Sequence, residues 1–144
     1  MNRLAVGVSV AALAALAAAC AGFNLAPQPT PSPRAECAPT SVTIYFTEES
    51  ATLQPLADPL LARLMQQVSD CTNAGGELRG LTITAYPDAR GSRSSREAEM
   101  RLRAQRVQAA LVQAGAPADK IRIVRPRGET GVMTRRAEVS ADLF

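Results

Sequence analysis

Histidine and tryptophan are missing from all 144 residues, aromatic side chains make up 3%, and lysine occurs once, at position 120. Without histidine the chain lacks the commonest general base and the commonest metal ligand together. Its three cysteines are scattered, and neither a P-loop nor a G-x-G-x-x-G phosphate loop occurs. A nucleophilic thiol would have no histidine to activate it. A glycosidase needs two carboxylates flanking a sugar cleft. Glu48 and Glu49 are adjacent and should point to opposite faces of a strand end, which disfavours pairing with Asp88. The reading is a non-enzymatic protein with no catalytic residue, no metal and no cofactor.

What is abundant is arginine. Lysine and arginine total 16, so 16 − 1 leaves fifteen arginines, against 13 acids, for a formal charge of +3. Runs of arginine at 90–106 and 120–136 would suit nucleic acid, but scarce aromatics and interleaved acids (Glu97, Glu99, Glu129) argue against that partner. A solvated face accounts for them. The first residues point elsewhere. Arg3 precedes the apolar run LAVGVSVAALAALAAAC, giving a positive region, an apolar region and a small-residue zone ending at Cys20. Three alanines before Cys20 resemble a bacterial lipobox, although its usual leucine is displaced to Leu16, with Ala17 in its place. This pattern predicts a signal peptide over 1–19 and lipidation of Cys20. Ala21 resembles the residue that follows the anchor in lipoproteins passed to the outer membrane, which puts the rest of the chain outside the cytoplasm.

Residues 20–40 hold five of the ten prolines and read as an extended tether. The folded domain is expected over 41–144. SVTIYF alternates as a strand. In SATLQPLADPLLARLMQQVSDC, Asp58 is the expected helix cap and Pro59 the first helical residue. Leu60, Leu61, Leu64, Val68 and Cys71 form its expected apolar face, and Gly75–Gly76 its end. LTITAY is a second strand. Ser94 with Glu97 matches a capping box, opening a helix whose apolar face runs Met100, Ala104, Val107, Leu111, Ala114. KIRIVRP and RRAEVSADLF are the last strands. The order β-α-β-α-β-β predicts an α+β sandwich, a small mixed sheet with helices packed on one face. Cys37 precedes the first strand and Cys71 ends a helix returning antiparallel to it, so an exported chain should join them as a disulfide.

Four stretches carry a resemblance that spans roughly 42–140. VTIYFTEESATLQPLA resembles a segment running through S-A-x-L-x-P-x-A, filled by Ser50, Ala51, Leu53, Pro55 and Ala57. TAYPDARGS is similar to a G-[HY]-T-D-x-x-G-S turn, RAQRVQAALVQAGAPADKI to an R-A-x-x-V helix with its exit, and TRRAEV to an ending N-R-R-V-E-V. In this order they resemble the OmpA-like domain family, the peptidoglycan-binding module of outer-membrane protein A and peptidoglycan-associated lipoprotein. The resemblance implies that Asp88 and Arg103, fifteen residues apart, bind the diaminopimelate of the peptidoglycan stem peptide, with Arg135 a weaker contributor. The tip of diaminopimelate carries an ammonium and a carboxylate on one carbon. An aspartate suits the first and a guanidinium fork the second. Arg103 is expected early in its helix, tilted back toward the turn. The family's Gly and Thr in the turn are here Ala85 and Pro87, its Asn is Arg96, and Thr134 replaces another Asn. The implied function is to tie the outer membrane to the wall. The alternative is the same fold serving as a protein-interaction or structural module of an envelope complex.

Overall fold

The computed structural model describes residues 34–127 and 134–144; positions 1–19, Cys20 and the tether up to residue 33 lie outside the described residues. The elements are β1 (Thr40–Tyr45), α1 (Ala57–Asn73), β2 (Leu78–Ala85), α2 (Arg93–Gln113), β3 (Ile121–Val124) and β4 (Arg136–Leu143). This is the expected β-α-β-α-β-β order. The sheet runs β1-β4-β2-β3. β4 lies antiparallel to both β1 and β2, while β2 and β3 are parallel. The last strand in sequence is thus interior, and β1 joins the sheet only through it. One face of the sheet, carrying Ile44, Leu81, Ile83, Ala137, Val139 and Ala141, is buried and forms a single core with the helices. The folded unit also reaches back before Ser41, because a short 3-10 turn at Ala35–Cys37 buries Cys37.

The α1 start departs from expectation. The helix begins at Ala57 with Leu56 at the cap, and no side chain caps it, so Asp58 and Pro59 are its second and third residues. Proline is tolerated there because first-turn amides have no partner within the helix. The first such bond comes one residue later, from the Leu60 amide to the Leu56 carbonyl at 3.3 Å. The inward face follows the spacing of four and three, which the earlier start extends back to Ala57. Ala57, Leu61, Leu64, Val68 and Cys71 are buried, whereas Leu60 is 38% exposed and is not part of the apolar face.

The cap of α2 is likewise Ser92 rather than Ser94: its hydroxyl accepts the Ser95 amide at 3.1 Å. Glu97 makes no capping box; it pairs with Arg93 at 3.2 Å on the surface. Ala104, Val107, Ala110 and Leu111 are buried, Met100 packs against their edge, and Ala114 is the half-buried C-terminal cap. Each fully buried leucine or valine here contributes roughly 1.5–3 kcal/mol.

Cys37 and Cys71 form a disulfide, as their positions predicted. Gly76 packs against it. A Cβ at Gly76 would lie inside the contact distance of both sulfurs and 2.9 Å from the Phe144 carbonyl.

Candidate functional site

The disulfide marks one end of the sheet; the expected site lies at the other, where β1 and β2 finish and β4 begins. Tyr45 pairs with Arg136 and Ala85 with Ala137 there. Two loops meet. The β1–α1 loop carries Glu49 with φ of 51°, and the β2–α2 loop carries Asp88. Left-handed φ at a non-glycine residue costs of order 1–3 kcal/mol, and it persists only where surroundings hold it. Here the holding group is Asp88: its Oδ2 accepts the Glu49 amide at 2.7 Å. Asp88 is 5% exposed.

Its other oxygen meets Arg103, whose Nη2 donates to Oδ1 at 2.8 Å. Arg103 sits in the middle of α2, not early as expected, and is completely buried. Its length and backward tilt still bring the guanidinium to the loops. Nε donates to the Ser50 carbonyl at 2.9 Å and Nη1 to the Tyr86 carbonyl at 2.9 Å. Nη2 also reaches the Thr47 carbonyl at 3.4 Å and the carboxylate of Glu99. The ring of Phe46 lies 5.1 Å from the guanidinium carbon. One arginine therefore ties both loops to α2. A buried guanidinium is tolerable only with its donors matched in this way.

Burial pushes the Asp88 carboxyl upward. The Glu49 amide, the hydrogen bond and charge of Arg103, and the charge of Arg135 outweigh that and hold it below the ordinary 3.8. Asp88 is therefore an anion at neutral pH, and each carboxylate oxygen has a further lone pair.

Asp88 also borders a cleft of about 280 Å³, lined with Glu48, Ala89, Arg90, Thr134 and Arg135. Arg135 has φ of 59°, the second non-glycine residue of this kind, and its side chain is 47% exposed, 3.9 Å from Glu48. The cleft thus has an acidic, buried floor and arginines at its mouth. Beside it, Arg136 lies over the Tyr86 ring at 3.8 Å and bonds Glu138 at 2.7 Å. Burial, then the charge and hydrogen bond of Glu138, raise the Tyr86 hydroxyl above its usual range despite Arg136.

All three expected binding residues come together: Asp88 and Arg103 in contact, Arg135 across the cleft from the same aspartate. Cys20 lies outside the described residues. Sequence reasoning missed Glu99, assigned to the solvated face but only 17% exposed in its side chain. Its spacing of four before Arg103 was the available signal. Glu48, set aside in the sequence as an unfavourable partner for Asp88, and Arg90, assigned to the solvated face, line the cleft with that aspartate. Among the described residues no His, Cys, Asp and Glu group of three or more could hold a metal.

The sequence profile described as the OmpA family matches residues 45–142. Among curated proteins none matches. Among solved structures, the peptidoglycan-associated lipoprotein from Burkholderia pseudomallei is similar at TM-score 0.55 and 21% identity, over 69% of this chain and 88% of that one. The OmpA-like domain of FopA1 from Francisella tularensis subsp. tularensis SCHU S4 gives 0.57 and 19%, over 71% of each chain. The periplasmic domain of Helicobacter pylori MotB (residues 97–256) gives 0.53 and 14%, over 72% of this chain and 78% of that one. At these identities the structures speak to the fold.

Proposed function

Since this chain belongs to the OmpA family, whose domains are non-enzymatic structural and binding modules, we propose that it binds peptidoglycan. The ligand is the diaminopimelate tip of the stem peptide, held without covalent chemistry. Asp88 receives the ammonium, adding it to the two hydrogen bonds its carboxylate already accepts. Arg103 and, from the cleft mouth, Arg135 receive the carboxylate. The observation that carries this reading is the ion pair between Asp88 and Arg103 at 2.8 Å, whose aspartate borders a cleft with charges of both signs while the arginine lies buried behind it. A zwitterion fits such a place better than a simple anion or cation. The likeness to a peptidoglycan-associated lipoprotein supports the same ligand class. With Cys20 lipidated and residues 20–40 as tether, the domain over 41–144 would join the outer membrane to the wall from the periplasmic side.

The test is co-sedimentation with diaminopimelate-type sacculi. The protein should pellet, less so as salt rises and screens the charges. Asp88→Asn and Arg103→Lys should remain in the supernatant. Sacculi with lysine in place of diaminopimelate lack the distal carboxylate and should retain little. If both variants pellet like the parent, the site is elsewhere. A second reading has one observation in its favour: the hydrogen bonds of Arg103 all go to the protein's own groups. On that reading the cluster only holds the loops, and the domain serves as an interaction module of an envelope complex. Sacculi would then retain nothing while a partner protein is recovered.

A further inference from the structure

Glu99 engages the Arg103 guanidinium, the group that the proposed reading gives to the ligand's carboxylate. One of its oxygens accepts a hydrogen bond from Nη2 of Arg103, and the other accepts the Asp88 amide at 3.3 Å. A guanidinium N–H and a backbone N–H shared across two oxygens of one carboxylate is how proteins hold a free carboxylate. Asp88 is held in the same manner, but it is 5% exposed, whereas the Glu99 side chain is 17% exposed. Asp88 bonds the same nitrogen through a single oxygen, and its second oxygen goes to Glu49. Glu99 comes from the same helix, one turn before Arg103, so its effective concentration at the guanidinium far exceeds that of any ligand in solution. It also keeps a path outward, with its side chain 17% exposed.

We propose that Glu99 is a built-in competitor, a latch that the ligand's carboxylate must displace from Arg103 before the site is filled. This rests on the reading of Asp88 and Arg103 given above. Apparent affinity is then the intrinsic affinity scaled by the fraction of molecules with the latch open. The latch also acts on one end of the ligand only. Asp88 stays available to an ammonium whether or not Glu99 is in place, so Glu99 tunes how much the carboxylate adds to binding. It is a specificity-determining residue, and it lowers the preference for diaminopimelate over lysine.

The experiment is calorimetric titration of the whole protein with two stem tripeptides, L-Ala-γ-D-Glu-meso-diaminopimelate and its L-Lys counterpart. Parent, Glu99→Leu, Glu99→Gln and Asp88→Asn are compared, with thermal melts to confirm folding. Glu99→Leu should bind the diaminopimelate tripeptide at least tenfold tighter than the parent. Glu99→Gln, uncharged but still able to accept one of the two hydrogen bonds through its amide oxygen, should gain less, about threefold. Neither should change for the lysine tripeptide, which offers no carboxylate at that end. If the parent binds, Asp88→Asn does not, and the Glu99 variants gain nothing, the latch is overturned and the binding site stands. An equal gain for both tripeptides overturns it too, since relief of general negative charge would then suffice. If neither parent nor the Glu99 variants bind either tripeptide, the latch and the site fall together. Should Glu99→Leu not fold, Glu99→Gln decides by the same criteria.

Discussion

The two ends of the sheet are held by different physics. At the end where Leu78 pairs with Leu143, a covalent bond between Cys37 and Cys71 sits in apolar packing beside Gly76. At the end where Ala85 pairs with Ala137, a buried arginine gathers two carboxylates and three carbonyls. The apolar end would keep its shape without any particular charge. The polar end is costly to bury and stable only when complete, which is where a protein keeps groups it needs for recognition. On the proposed reading both ends contribute to stability, and only the second also recognises a ligand. Substitutions should separate them.

Arg103→Ala should have the largest effect. It leaves Asp88 and Glu99 without their cation and the carbonyls of Ser50, Thr47 and Tyr86 without donors, at a cost of about 3–5 kcal/mol. Urea unfolding would measure it, and a loss under 1 kcal/mol would mean the cluster is not as buried as described. Replacing Cys37 and Cys71 with serine comes next. Across a separation of 34 residues the chain-entropy model gives about 3–4 kcal/mol. Unlike the arginine change, this one should leave ligand affinity untouched below the melting point, as a titration would show.

Asp88→Asn should cost less, about 1–3 kcal/mol, since an amide can keep one of the two hydrogen bonds. The sign of its pH dependence follows from the lowered carboxyl. A group whose folded value lies below 3.8 stabilises the protein above 3.8 and ceases to do so as pH falls through the folded value. Acid unfolding of the parent should therefore lose stability below 3.8 more steeply than that of Asp88→Asn; coincident curves there would remove Asp88 from the account. Ser92→Ala, which deletes the α2 cap, should be the smallest change, about 1 kcal/mol by thermal melt.

The apolar end was legible in the sequence because its signals are local. Alternation gave the strands, glycines at 75 and 115 marked where helices stop, and the cysteines lay where the topology joins them. Errors arose where several residues could serve one local role. Ser92, Ser94 and Ser95 all qualify as caps, and only the observed turn selects Ser92. Pro59 fits any first-turn position, so it could not fix where the helix starts, and Leu60 lies beside the stripe of Ala57, Leu61 and Leu64 rather than in it. The interior place of β4 depends on long-range pairing that periodicity does not encode. At the polar end the family pattern named Asp88 and Arg103. It did not reveal Glu99, because an acid among arginines on a helix looks solvated until the loops that cover it are placed.

The most direct measurement is the affinity of the folded Asp88→Asn variant for the diaminopimelate tripeptide beside that of the parent. Removing one negative charge from the cleft floor should weaken binding at least tenfold while the circular dichroism spectrum stays the same. Equal affinities in two equally folded proteins would contradict the assignment of recognition to this end of the sheet.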